Sequence, residues 1–507
     1  MKKLTAALIS GFVLVFAFAP FGAGFLAWGA FVPVMYAIEG GSRKRGFLLG
    51  FAAGGAFFLS TLYWVVHSMY YYGGVPIFAA VAVMLVLVIY TSLYWGLFGW
   101  FFVASEKSDG LVRVLMVPAA WVALEYVRAH LLTGFPWVLL GYSQASYLPI
   151  IQIADMTGVW GVSFVVMAVN TAVFLIVRRV SDRQAASPSR AAIAAGVLLL
   201  SVAAYGLIKI SIVDRDAQSW TSITAAVAQG SIDQSVKWDK SMEDETLEIY
   251  SGLTREAAGS GASLIVWPET AMPFYYEKER VEKGIPGRSA KEAGSFILTG
   301  SPSYVRNASN GAYDFYNSAY LLSPQGETIG RYDKIHLVPF GEYVPLRTML
   351  PFVSKLTAGI GDFAEGVGPV PIKLGKEGLG ILICYEAIFP EIARGAVKNG
   401  ATLLVNITND GWFGRTSAPY QHLDMTVLRA VENRSYLVRS ANTGISAIID
   451  PVGRVVDKTA LFERTVLTSK VRFRQGVSGF YTMYGDIFAI GSTVIVCLFA
   501  LSISRRR

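Results

Sequence analysis

Apolar positions along the chain fall into two regimes. Through residues 1–213, and again through 484–504, they run almost unbroken; residues 214–482 interleave short apolar runs with charged and polar positions. A helix needs about 20 apolar residues to cross the hydrocarbon of a bilayer. By that measure the first regime predicts eight spanning helices, at 4–19, 23–39, 46–67, 75–104, 111–128, 159–177, 191–213 and 484–504. The first is short, and Met1-Lys2-Lys3 before an apolar run ending Phe16-Ala17-Phe18-Ala19 also has the form of a cleaved signal peptide. It is read as a retained span, because another apolar segment follows almost at once through Pro20-Phe21-Gly22.

The second regime predicts strands at Ile223–Gln229, Ser263–Trp267, Phe296–Thr299, Ser318–Leu322, Leu379–Ile383, Thr402–Ile407, Tyr436–Arg439 and Ser446–Ile449. Helical spacing appears around 239–258 and 418–434. Such alternation implies a layered α/β fold with buried sheets. The expected organisation is a helical membrane region (1–213), a water-soluble α/β domain (214–482), and a last span with a basic tail (483–507).

Charge refines this picture. The 507-residue chain is 53% hydrophobic and only 16% charged, with a net charge of +8. A soluble domain carries about 25% charged residues. Lys2, Lys3, Arg43-Lys44-Arg45, Lys107, Arg113, Arg178, Arg179, Arg183, Arg190 and Arg505-Arg506-Arg507 all fall on one side of the eight-span arrangement. The loops around Pro20, Tyr70-Tyr71-Tyr72 and 129–158 hold no Lys or Arg, with Arg128 at their edge. Basic loops stay cytoplasmic, so both termini are expected inside and the α/β domain outside, in the periplasm of a Gram-negative cell. The excess positive charge therefore marks topology and not nucleic-acid binding. Within 129–158, Gly134-Phe135-Pro136-Trp137 and Gly141-Tyr142-Ser143-Gln144 read either as an interfacial aromatic belt or as the wall of a lipid-facing cleft.

Candidate chemistry lies in the α/β domain. Gly380-Ile381-Leu382-Ile383 runs into Cys384-Tyr385-Glu386, placing a thiol where a buried strand ends. Leu264-Ile265-Val266-Trp267-Pro268-Glu269 sets a carboxylate just past another strand. Arg331-Tyr332-Asp333-Lys334-Ile335-His336 sets a lysine in a loop leading to Pro339-Phe340-Gly341-Glu342. A thiol of ordinary pKa is mostly protonated at neutral pH, and a carboxylate can accept its proton. An ammonium group stabilises both a thiolate and the oxyanion of an attacked carbonyl. Taken singly, each of these residues is more often packing or surface charge. No GxSxG elbow offers a serine alternative. The other cysteine, Cys497, lies in the last apolar run, so both thiols are expected free. His67, His130, His336 and His422 show no metal-ligand spacing, so no metal and no cofactor is expected.

Trp267-Pro268-Glu269 after a strand, the Lys334 loop and Cys384-Tyr385-Glu386 together resemble the nitrilase superfamily. Gln234-Ser235-Val236-Lys237-Trp238, the stretch from Tyr332 to Pro345, Asn409-Asp410-Gly411-Trp412-Phe413-Gly414, the 134–137 loop and Gly158-Val159-Trp160-Gly161 narrow the likeness to its membrane-embedded apolipoprotein N-acyltransferase family. That resemblance implies an αββα sandwich, with Glu269 as general base, Lys334 as oxyanion stabiliser and Cys384 as nucleophile. It also implies supporting or substrate-binding roles for Glu342, Tyr385, Glu386, Trp238 and Trp412. It implies a phospholipid acyl donor of the phosphatidylethanolamine type, and an acceptor that is the α-amine of a diacylated apolipoprotein. Transfer would run in two steps through a thioester in the inner membrane, with Trp412, Phe413 and the stretch around Phe363 excluding water. The rivals are a membrane-tethered amidase or nitrile hydrolase with water as acceptor, and a transporter or receptor with a non-catalytic sensor domain. The second is weakened by the scarcity of charges within the spans, Glu125 being the main one.

Overall fold

The computed structural model describes residues 1–182, 188–278, 284–307, 311–343, 363–476 and 478–505. Arg183, Val344, Pro345, Arg506 and Arg507 of the sequence reading lie outside the described residues. The chain divides into two compact units: Met1–Val66 with Phe78–Ile212 and Gly479–Arg507, and His67–Ile77 with Val213–Ser478.

The first unit is helical. Among the described residues four helices are long and apolar enough to cross a membrane: Ile77–Ala104, Gly110–Thr133, Val159–Ser181 and Ser189–Ala217. Arg43–Thr61 and Trp64–Tyr72, bent by 44° at their junction, would count as a fifth if they form one span. The other three expected segments fall on shorter helices. Lys2–Val15 has 14 residues, and the segment expected at 23–39 is split into a 3-10 turn, Gly24–Trp28, and a helix, Val32–Ile38, whose first turn holds Pro33. A proline there opens a helix but cannot continue one from upstream. The third lies on Ile487–Ile503. Helices 43–61 and 77–104 meet at Gly46 and Gly99, where a Cβ on either would lie 2.5 Å or less from the other's carbonyl oxygen. Small residues permit this backbone approach. The loop after Arg128 is folded inward: the guanidinium donates to the carbonyls of Phe135 (3.2 Å) and Trp137 (2.9 Å), and Trp137 and Tyr142 are buried. For these two aromatics the belt reading is therefore incorrect.

The second unit carries two six-stranded sheets. One contains β1 (Ser222–Gln229), β2 (Leu264–Val266), β3 (Phe296–Arg306), β4 (Tyr313–Leu322), β5 (Thr328–Asp333) and, at its other edge beside β1, β12 (Thr465–Arg472). The other runs β6 (Ile372–Leu374), β7 (Glu377–Ile383), β8 (Leu403–Thr408), β9 (Leu437–Ala441), β10 (Ala447–Ile449) and β11 (Val455–Lys458). The central pairs β1–β2, β2–β3, β7–β8 and β8–β9 are parallel.

Period-two alternation explains why the central strands read as continuous apolar runs. Ala225, Val227, Leu264 and Val266 face Leu379, Ile381, Leu403 and Val405 between the sheets. Their neighbours Ala226, Ala228, Ile265 and Trp267 face the outside and pack with Leu247, Tyr250, Leu253 and Ala257 of helix Glu243–Gly259. A strand buried on both faces has no polar side to show. Helix Pro390–Lys398 lies against β7 and against helix Ala418–Asn433, completing an αββα sandwich.

Candidate active site

Three strand ends converge. β2 leads into Trp267, whose N–H donates to the Leu298 carbonyl (2.8 Å) and whose indole donates to Thr254 Oγ1 (2.9 Å). Pro268 follows without a donor, so the ladder stops there and the chain turns through Glu269. Glu269 is buried. Its Oε1 accepts from Asn317 Nδ2 (2.8 Å) and its Oε2 from the Asn409 backbone N–H (2.8 Å).

Lys334 opens the loop leading to Pro339, as expected, and stands directly after β5, a strand the sequence did not show; Arg331-Tyr332-Asp333 are the strand's last residues. Its ammonium lies 3.6 Å from Glu269 Oε1 and 2.9 Å from Glu342 Oε2. Asn317 Nδ2 also reaches Glu342 Oε1 (2.8 Å), and the Val338 N–H donates to Glu342 Oε2 (2.8 Å). Burial alone would lower the lysine, but Glu342 and then Glu269 outweigh it and hold Lys334 well above its ordinary value.

Cys384 follows β7 with φ +52°, a left-handed backbone that costs a non-glycine residue about 1–3 kcal/mol unless its surroundings impose it. Glu386 is part of what imposes it. Its Oε2 accepts the Ile383 N–H (2.6 Å), and its Oε1 accepts the N–H groups of Ile335 (2.7 Å) and His336 (3.3 Å). The Tyr332 hydroxyl donates to the same carboxylate. Glu386 thus staples the cysteine turn to the lysine segment, and burial pushes its carboxyl up to about 7 despite these donors. Burial, with Glu269 next, raises the Cys384 thiol against the opposing pull of Lys334. The resting group is a neutral thiol.

The remaining expected residues are placed as follows. Tyr385 packs edge-on against Phe389, 5.1 Å between ring centroids. Trp238 and Trp412 are 39% and 40% exposed. The Trp412 carbonyl accepts from Ser68 Oγ (2.8 Å). Phe363 donates its N–H to the Glu342 carbonyl (3.0 Å). Cys384 and Cys497 are both free thiols.

Sequence reasoning passed over Asn317 and Lys237. Asn317 lies within β4, where an amide amid a buried run is itself a signal of an internal partner. Lys237, beside Trp238 in a polar stretch, carries no such mark. Yet it is buried, donating to the Glu269 carbonyl (3.2 Å) and to Thr270 Oγ1 (2.7 Å). Burial lowers its ammonium to about 7, with Glu269 and Cys384 opposing. Among the described residues no group of three or more His, Cys, Asp or Glu side chains is placed to hold a metal ion. The arrangement suits covalent acyl chemistry: a thiol, a carboxylate that can take its proton, and a permanent cation beside both.

Comparison with known proteins identifies the family. Residues 10–172 match the family model described as the apolipoprotein N-acyltransferase N-terminal domain, and residues 224–476 match that of carbon-nitrogen hydrolases. An apolipoprotein N-acyltransferase of Geobacter metallireducens is 46% identical, over 97% of this chain and 94% of its own length. One of Methylococcus capsulatus is 35% identical over the same shares. Among solved structures, a carbon-nitrogen hydrolase of Helicobacter pylori superposes with a TM-score of 0.39 at 19% identity, over 49% of this chain and 89% of its own. With relatives of such identity matching it almost from end to end, the chain belongs to the apolipoprotein N-acyltransferase family.

Proposed function

We propose that the protein transfers an acyl chain from a membrane phospholipid to the α-amine of the N-terminal diacylglyceryl-cysteine of apolipoproteins, through a thioester on Cys384. The observation that carries this is the junction of Glu269, Lys334 and Cys384 in one buried cluster of a chain with full-length relatives of that name.

Because the resting thiol is neutral, its proton leaves as the bond forms. Cys384 Sγ attacks the ester carbonyl, Glu269 takes the proton, and Lys334 stabilises the oxyanion. Collapse expels the lysophospholipid alkoxide, which receives that proton, and leaves the thioester. The acceptor α-amine then attacks the thioester, Glu269 takes its proton, and the thiol is restored as the amide forms. Glu342 keeps Lys334 charged through both half-reactions, while Trp238, Trp412, Tyr385 and Phe363 shape an apolar mouth that keeps water from the thioester. Residues 214–482 form the catalytic domain on the periplasmic side. Residues 1–213 and 483–507 supply eight membrane segments with both termini cytoplasmic, so both lipid substrates reach the site from the inner membrane.

The test uses the full-length protein in vesicles with a phospholipid carrying a tagged acyl chain. Intact-mass analysis should show one acyl adduct, lost in Cys384→Ala and retained in Cys497→Ala. A diacylated lipopeptide with a free α-amine should discharge it; the same peptide with a blocked amine should not. Equal labelling of Cys384→Ala, or discharge by water as fast as by amine, would overturn the proposal.

A further inference from the structure

Behind the nucleophile lies a charged cluster that takes no part in the chemistry above. His422 lies on helix Ala418–Asn433, Asp410 on the 3-10 turn Asp410–Phe413, Arg439 on β9 and Asn406 on β8. All four side chains are at most 1% exposed. Arg439 Nη2 donates to Asp410 Oδ2 (2.6 Å), and its Nη1 meets Asn406 Oδ1. Asn406 Nδ2 donates to the Leu382 carbonyl (2.8 Å), just upstream of the cysteine turn. His422 Nε2 lies 3.2 Å from the carbonyl oxygen of Cys384 itself.

The tautomer follows from what each partner can do. A carbonyl only accepts, so Nε2 carries the proton. Burial and then Arg439 push the imidazole below its ordinary value, with Asp410 opposing. Nδ1 lies 3.1 Å from both Asp410 Oδ1 and Arg439 Nη2. With Nε2–H spent on the carbonyl and Nδ1 held between Asp410 and Arg439, His422 is not placed to relay the thiol proton. Its contact is with the backbone of the residue whose φ is +52°.

We propose that His422 is a positioning residue: gripped by Arg439 and Asp410, its N–H holds the Cys384 carbonyl and so keeps the thiol aimed at the carbonyl it attacks. The inference rests on the reading of Cys384 as nucleophile. Glu386 holds the strand side of the turn through Ile383 N–H, and His422 holds the far side through the Cys384 carbonyl. The same segment reaches the base, since the Asn409 N–H next to Asp410 donates to Glu269 Oε2. Nucleophile and base therefore share one buried support, which also begins the turn bearing Trp412.

The test compares His422→Gln, whose amide N–H reaches about as far as Nε2, with His422→Asn, one carbon shorter, and His422→Leu, which has no donor. Each full-length variant is assayed in vesicles for acyl-enzyme formation across phospholipid concentrations, with circular dichroism melting as the folding check. A reacting group misplaced by about 1 Å costs on the order of 10²-fold. His422→Leu and His422→Asn should lose about that much in limiting rate, with the half-saturating phospholipid concentration unchanged; His422→Gln should recover to within about tenfold of wild type. If His422→Leu does not fold, the Gln and Asn pair decides alone. Folded Leu or Asn variants at the wild-type rate, or a folded Gln variant as slow as Asn, would overturn the assignment. Failure of the underlying reading looks different: the wild-type adduct would then persist in Cys384→Ala, whatever the ranking at position 422.

Discussion

Two buried lysines lie beside Glu269 and are held at opposite ends of the ammonium range. Lys334 meets two carboxylates and stays above its ordinary value; Lys237 meets only neutral oxygens and falls to about 7. The charged group facing Lys237 is Glu269, whose attraction does not offset burial. The sign follows directly. A folded-state value below the unfolded 10.5 disfavours the ammonium, so the fold bears the full cost below about pH 7 and sheds it as pH rises towards 10.5. Lys237→Met has no such proton to lose. Between pH 7 and 10 the wild type should gain on that variant in unfolding free energy by a few kcal/mol, read from melting curves in detergent. A difference that stayed flat across that interval would show Lys237 to be an ordinary ammonium. The sequence reading quoted Lys237 in its motif and gave it no role, because burial is not written in a polar stretch.

Among elements, β3 sets how closely the Glu269 turn can approach. A Cβ at Gly300 would lie 2.6 Å from Thr270 N, 2.7 Å from Glu269 Cα and 2.8 Å from Pro268 O. These are backbone atoms or fixed by backbone, so none can swing aside. Gly300→Ala should therefore cost about 1–3 kcal/mol of stability through overpacking and slow acyl-enzyme formation by moving Glu269. Alkaline iodoacetamide labelling of Cys384 should change little, because β7 is on the other sheet. A variant that labelled and acylated like wild type would show the turn to be compliant. Elements also differ in how legible they are. Glu377–Ile383 is buried throughout and reads as a strand; Thr328–Asp333, with Gly330, Arg331 and Asp333 on a half-exposed edge, does not. Val455–Lys458, exposed along its whole length, leaves no apolar pattern at all.

For the whole molecule, the distribution of Lys and Arg makes a topological prediction that the helices alone do not. Reporters fused after Gly73 or Ser211 should report outside, and reporters after Arg45 or Asp182 inside. A cytoplasmic signal from any position within 214–482 would invert the arrangement. The broken segments matter here: helix 43–61 meets 64–72 at 44°, and Gly24–Trp28 interrupts the second segment, so loop-by-loop reporters count crossings better than helix lengths do.

By itself the chain determined what depends on runs and neighbours. The apolar segments, the buried strands of the parallel sheet centres, and the strand-end positions of Glu269 and Cys384 follow from burial on two faces and from prolines and glycines that stop ladders. Tertiary structure alone decided which distant polar groups share a buried cluster. Asn317, Lys237, Asn409 and His422 come to Glu269 and Cys384 from separate elements, and Glu342 reaches Lys334 across a turn. Each of these polar residues would be at home in water. Only packing, by removing water and leaving buried acceptors as their partners, makes them part of one site.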